Sequence, residues 1–290
     1  MWDSLLVLFS ALLIAVSFIM QKRYQLSTDE TMASAMFYTA VSNAVVAAVC
    51  WGMDGFAVQW SWFSFACAVA LGLLVLLYTL VGYRMMAAGH VAVYMLFLMS
   101  GGMLVPFGWG LAFLDETFSW LRFAGIACML LGVVCANGTK GRIDRLYLLC
   151  GAAVFVLNGF TSVTSKIHQI ETTLPTLTTE GFSALSSLVR MAVCVGVLLC
   201  MRQLRRPSLR RYVGGRFVLW PVAAAVVGAV SSVLQLEGAV NLPATVLYPL
   251  ITGGTLVFST LAGWLFLRER PTLRLVFGVV LCVVGTCLFL

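Results

Sequence analysis

The chain has 290 residues, of which 61% are hydrophobic and only 10% charged, with a mean hydropathy of +1.01. A soluble protein carries roughly 25% charged residues to coat its surface, so this composition excludes a water-soluble globular domain and makes hydrocarbon the solvent for most of the chain. The formal net charge of +7 comes from basic residues spread over short loops rather than gathered on one face, which argues against nucleic acid as a partner.

A membrane-crossing helix needs about 20 apolar residues, because a rise of 1.5 Å per residue has to cover roughly 30 Å of hydrocarbon. Ten segments qualify, in chain order 4–20, 31–52, 61–84, 90–114, 119–137, 145–166, 176–201, 216–236, 242–267 and 271–290. Backbone polar groups in lipid must be paired within the segment, and the near-continuous apolarity does not fit the alternation of a barrel. The predicted fold class is therefore an all-α integral membrane protein with ten transmembrane helices. The first segment has no basic stretch before it and no Ala-x-Ala-like cleavage site, so it reads as a span rather than a cleaved signal.

Loops after odd-numbered spans carry most of the Lys and Arg residues, from Lys22 and Arg23 through the Arg202–Arg216 cluster to Arg274, whereas Arg122 and Lys166 fall on the other side. Short basic loops stay cytoplasmic, so both termini are expected to be non-cytoplasmic, with a plasma membrane of bacterial inner-membrane type as the setting.

An internal repeat is also present. A shift of 153 residues lays Glu116-Thr117-Phe118-Ser119, followed by Gly125 and Gly132, over Glu269-Arg270-Pro271-Thr272, followed by Gly278 and Gly285. A weaker match at a shift of 144 pairs Gln21–Leu26 with Ser165–Ile170. The expected organisation is two five-helix repeats, 1–140 and 141–290, within one membrane domain. An odd number of spans per copy inverts one copy relative to the other, and inverted repeats that enclose a site at mid-membrane are the architecture of many secondary transporters.

These motifs resemble the drug/metabolite transporter superfamily, in particular its ten-span EamA-like branch. A repeat there ends a span in Gly-Glu or a similar acidic pair, followed by Pro or a small residue and then a Gly-x6-Gly helix. The matching residues here are Leu114-Asp115-Glu116 and Leu267-Arg268-Glu269-Arg270-Pro271, with Asp115 and Arg268 in place of the usual Gly and Phe118 where Pro is common. The resemblance implies a central cavity lined by the first, third, fourth, sixth, eighth and ninth spans. It implies substrates ranging from amino acids to nucleotide sugars, sugar phosphates and choline. Small multidrug exporters, which are similar to one half of this chain, carry a cation-binding glutamate in the middle of the first span. None stands there, which argues against a proton-driven exporter of drug cations.

A polar group at mid-membrane is costly and is a functional candidate by default. Arg190 is the only charge near the middle of a span; at roughly 2.5–3.5 kcal/mol for a central arginine, it either staples helices through carbonyls or meets an anion or a wet cavity. Glu116 and Glu269 end spans, where each is expected to cap the helix that follows. The candidate substrate-binding residues are Tyr78, Thr79, Tyr94, Trp109, Asn158, Arg190, Ser231, Gln235 and Tyr248. Ser231 and Gln235 share a helix face, and the repeat lays Tyr78 over Ser231 and Thr79 over Ser232. Helix-to-helix packing is the competing role for each of them. Gly101-Gly102 before Pro106, and Pro249 before Gly253-Gly254, read either as hinges beside a midplane site or as points of close packing.

His90 and His168 are assigned to loops with no second ligand at metal spacing, and the nine cysteines include no CxxC pair. Asn137-Gly-Thr is a formal glycosylation sequon in a loop read as cytoplasmic. Neither metal, cofactor nor catalysis is expected. The expected activity is secondary active transport of a small polar or zwitterionic metabolite, of amino acid or quaternary amine type, with a proton or sodium as coupling ion and a monomer or homodimer as the working form. The alternatives are a nucleotide-sugar or sugar-phosphate carrier and a lipid-handling membrane protein.

Overall fold

The computed structural model describes residues 2–27, 32–57, 59–87, 91–136, 145–200, 215–267 and 272–288. Ten helices run through them: α1 (Trp2–Ser27), α2 (Met32–Met53), α3 (Trp62–Ala87), α4 (Val91–Phe113), α5 (Trp120–Ala136), α6 (Arg145–Ile170), α7 (Thr179–Cys200), α8 (Gly215–Asn241), α9 (Ala244–Leu267) and α10 (Leu273–Cys287). Eight are long and apolar enough to cross a membrane; α5 and α10 are shorter apolar helices. Glu269, His90 and the Asn137 sequon lie outside the described residues.

Three helices extend well past their apolar runs. α1 continues to Ser27, α6 to Ile170 and α8 to Asn241. This corrects the loop assignment of His168, which lies in α6 with Lys166, the last residue of the expected span; the two are 1% and 5% exposed. The His168 ring stacks on Phe182 with centroids 3.5 Å apart and shares a 2.8 Å hydrogen bond with Ser64 Oγ. A ring flanked by aromatic faces and satisfied by a hydroxyl is a packing element.

Helix ends follow from local chemistry. α4 stops where Asp115 takes a left-handed backbone, φ 50°, so that the Glu116 N–H reaches back to Gly110 O at 3.2 Å. Pro243 separates α8 from α9 and its carbonyl accepts from Val246 and Leu247 N–H at 3.0 and 2.9 Å, starting α9 in the way a residue locked near helical φ favours. Thr272 Oγ1 caps α10 by accepting from Leu275 N–H at 3.3 Å.

The packing is reciprocal. α1 lies against α8 and α9, while α6 lies against α3 and α4; α2 pairs with α7, α4 with α9, and α5 with α10. The last three pairs cross antiparallel. Ala33, Met36 and Ala40 of α2 meet Cys194 and Leu198 of α7, whereas Cys50 meets Ser183. Leu96 and Met99 of α4 meet Leu256 and Val257 of α9, whereas Phe107 lies with Leu247 and Leu250. Between α5 and α10 glycines carry the crossing: a methyl group at Gly132 would stand 2.6 Å from Gly278 O, and one at Gly285 would stand 2.7 Å from Gly125 O. The four glycines of the repeated motif thus form one interface, at the backbone distance that only small residues permit.

Gly101 and Gly253 also serve close packing, Gly101 against the Phe155 backbone of α6 and Gly253 against Met129 and Thr286. Despite Pro106 and Pro249, α4 and α9 are continuous helices.

Candidate functional site: a polar cavity between five helices

A cavity of about 310 Å³ lies between α3, α6, α7, α8 and α9. Its wall holds Tyr78 from α3, Thr161, Ser162 and Ser165 from α6, Phe182, Ser183, Ser186 and Arg190 from α7, Ser232 and Gln235 from α8, and Tyr248 from α9, with Leu71, Val75, Leu236, Ala239, Leu247 and Ile251 completing it. A second cavity of about 220 Å³ is lined by Ser17 and Gln21 of α1, Tyr38, Ser42, Asn43 and Val46 of α2, and Ala224, Ala225 and Gly228 of α8. Arg190 and Ser232 belong to both walls.

Part of one wall matches part of the other at the repeat shifts. At the shift of 144 residues Ser17 corresponds to Thr161, Gln21 to Ser165, Tyr38 to Phe182, Ser42 to Ser186 and Val46 to Arg190; at the shift of 153, Leu71 corresponds to Ala224 and Val75 to Gly228. Each member of these seven pairs lines one cavity and its counterpart lines the other.

Hydrogen bonds organise the wall. Gln235 Nε2 donates to Ser231 O and Oγ at 3.3 and 3.1 Å, and Ser183 and Ser232 share a 3.0 Å bond between α7 and α8. The Tyr248 hydroxyl donates to Ser162 O, joining α9 to α6 across the cavity. Arg190 bonds only within α7: Nε donates to Ser186 O at 3.2 Å, and Nη2 to Ser186 Oγ and Ser187 Oγ at 3.4 and 3.2 Å. Among the described residues it therefore does not staple one helix to another, which corrects that reading of its role.

Of the residues singled out in the sequence, Tyr78, Arg190, Gln235 and Tyr248 lie on the wall of the larger cavity. The other five do not. Ser231 is 1% exposed and turns to α1, donating to Ser10 O at 3.0 Å, because the α8 face toward the cavity is that of Ser232. Asn158 Nδ2 donates to Leu98 O at 2.8 Å and ties α6 to α4. Tyr94 is buried beside Val81, Tyr147 and Val154, and the Trp109 ring lies tilted against Phe113 and edge-on to Phe160, with centroids 4.3 and 6.1 Å away. Thr79 lies on neither wall, one residue around the helix from Tyr78.

The helices expected to line the cavity also need correction, since among the described residues α4 contributes nothing to either wall and α7 contributes four residues. The missed signal is Ser183, Ser186, Ser187 and Arg190, a polar stripe at i, i+3, i+4 and i+7 along an otherwise apolar span.

Two charges hold the α8–α9 turn from outside the cavity. Lys166 Nζ donates to Ala239 O and Leu242 O, both at 2.6 Å, and the Glu116 carboxylate accepts from Ala244 and Thr245 N–H at 2.7 and 2.9 Å. A carboxylate on the first amides of a helix and an ammonium on the last carbonyls both complement the helix dipole. Glu116 thus caps α9, from the opposite half of the chain, rather than the following helix α5 as expected.

A bundle of apolar helices closed around polar cavities defines a multi-pass integral membrane protein. The model of the EamA-like transporter family matches residues 145–290, half of the chain. The chain belongs to that family, and is a membrane transporter of the drug/metabolite transporter superfamily. A solved structure titled "Crystal structure of protein" is similar over 98% of this chain and 95% of its own, with a TM-score of 0.74 and 19% identity, a likeness that speaks for the fold alone. No curated protein matches the chain.

Proposed function

We propose that the protein is a secondary active transporter that carries a small polar or zwitterionic metabolite, of amino acid or quaternary amine type, by alternating access. Its halves, 1–140 and 141–290, act as inverted repeats in a plasma membrane, with both termini on the non-cytoplasmic face and a proton or sodium as coupling ion. The observation that carries this reading is the pairing of the two cavity walls at the repeat shifts, with Arg190 and Ser232 common to both. Two vestibules with corresponding residues that meet at one centre are what a carrier needs if exchanging the conformations of its repeats is to open that centre to each side in turn. The antiparallel crossings of α2 with α7, α4 with α9 and α5 with α10 support the same organisation. A nucleotide-sugar or sugar-phosphate carrier fits less well, because Arg190 is the only cation on either wall among the described residues.

Counterflow in proteoliposomes tests it, with radiolabelled L-amino acids and choline as probes. Transport of at least one probe is expected, falling about tenfold or more in Tyr78→Ala and Gln235→Ala, in line with the removal of one or two hydrogen bonds to the substrate. Full activity in both variants, or no flux of any probe, removes the assignment.

A further inference from the structure

Arg190 stands in an unusual electrostatic position. Three of its five N–H groups are used on its own helix, and the two on Nη1 have no acceptor among the described residues. The titratable groups that face it are Tyr78, Cys194 and Cys50, all neutral at pH 7, and no carboxylate among the described residues is one of them. The acidic residues nearest it along the described helices sit near helix ends, Glu180 in the first turn of α7 and Glu237 near the end of α8. A cation inside a membrane-spanning helix without a counter-ion is costly, which makes its position a functional candidate by default. Tyr78, on the same wall, has a hydroxyl that makes no hydrogen bond among the described residues.

We propose that Arg190 is the anchor for a single negative charge on the substrate, a carboxylate received by the Nη1 edge together with the Tyr78 hydroxyl. This rests on the transport reading above and narrows it, since a quaternary amine without an acid group is excluded. The count of charges selects the anion. One guanidinium and one carboxylate form a neutral pair, whereas a phosphate monoester dianion leaves a net negative charge in hydrocarbon, with no second cation on either wall among the described residues to meet it. Because Arg190 lies on both walls, the same guanidinium serves the substrate from either side. Val46, its counterpart in the repeat, carries no charge, so the two vestibules share one anchor rather than holding one each.

The test uses the purified full-length protein and thermal-shift measurements, since a ligand of the folded state raises its melting temperature. The probes are L-amino acids, the carboxamide of each, choline and glucose 6-phosphate. At least one free carboxylate is expected to stabilise the protein while its carboxamide does not. Arg190→Gln should weaken that carboxylate by about ten- to a hundredfold, with Arg190→Lys retaining part of the affinity. The proposal is overturned if carboxylate and carboxamide stabilise equally, if no carboxylate stabilises, or if Arg190→Gln binds as the wild type does. Should Arg190→Gln fail to fold, the contrast between acid and amide in the wild-type protein decides. Flux of the bound carboxylate is measured separately in proteoliposomes: binding through Arg190 without flux would remove the transport reading and leave the anchor in place.

Discussion

Asp115 shows how a single position departs from its motif and still fills its place. The acidic pair that ends a span in the family usually begins with Gly, and the φ of 50° at Asp115 supplies the reason, because the left-handed region favours a residue without Cβ. Asp tolerates it through its short polar side chain, at some strain. Asp115→Gly is expected to hold or raise the thermal unfolding midpoint, by up to about 1 kcal/mol, and Asp115→Val to lower it by roughly 1–2 kcal/mol. A Val variant as stable as the wild type would show that the turn is not strained. Polarity inside an apolar span is enough to single out Tyr78, Arg190, Gln235 and Tyr248. It is not enough to choose between Ser231 and Ser232, since neighbours on a helix point about 100° apart and only the packing of α8 against α1 decides which one faces the cavity. Lys166 escapes a sequence reading for a related reason: a charge at the end of an apolar run looks like a loop, yet its long stem carries the ammonium to the carbonyls that end α8.

At the scale of elements, the apolar runs mark the helices because hydrocarbon thickness sets their length. Their polar extensions, Gln21–Ser27 on α1 and Glu237–Asn241 on α8, carry no such signal. The Gly-x6-Gly intervals are legible as a repeat, but not the partner they meet. That the two copies pack on each other depends on bringing residue 132 to 278 and 285 to 125, approaches that no local pattern encodes. Gly132→Leu places side-chain atoms into the Gly278 backbone and should destabilise the bundle by about 1–3 kcal/mol, as overpacking does. Gly196→Ala meets nothing within 4 Å and should be neutral or stabilising by up to about 1 kcal/mol. Unfolding midpoints in detergent compare the two; equal stability of both variants would contradict the tight α5–α10 crossing.

For the whole molecule, the repeat read from the sequence says nothing of the hollows in the bundle, whose walls combine helices far apart in the chain. α1, α2, α7 and α8 enclose one, and α3, α6, α7, α8 and α9 the other. If the proposed inversion holds, Gln21→Cys and Ser165→Cys, each introduced after the nine native cysteines have been replaced, react with a membrane-impermeant maleimide from opposite faces of the bilayer. Labelling of both from one face would refute it. The carboxylate of Glu116 has a consequence at this scale as well. It belongs to residues 1–140, yet it satisfies the first amides of a helix in residues 141–290. Severed from the rest, the carboxy-terminal fragment would leave the Ala244 and Thr245 N–H groups at the start of α9 without their acceptor, so this cap is complete only when both parts of the chain are joined.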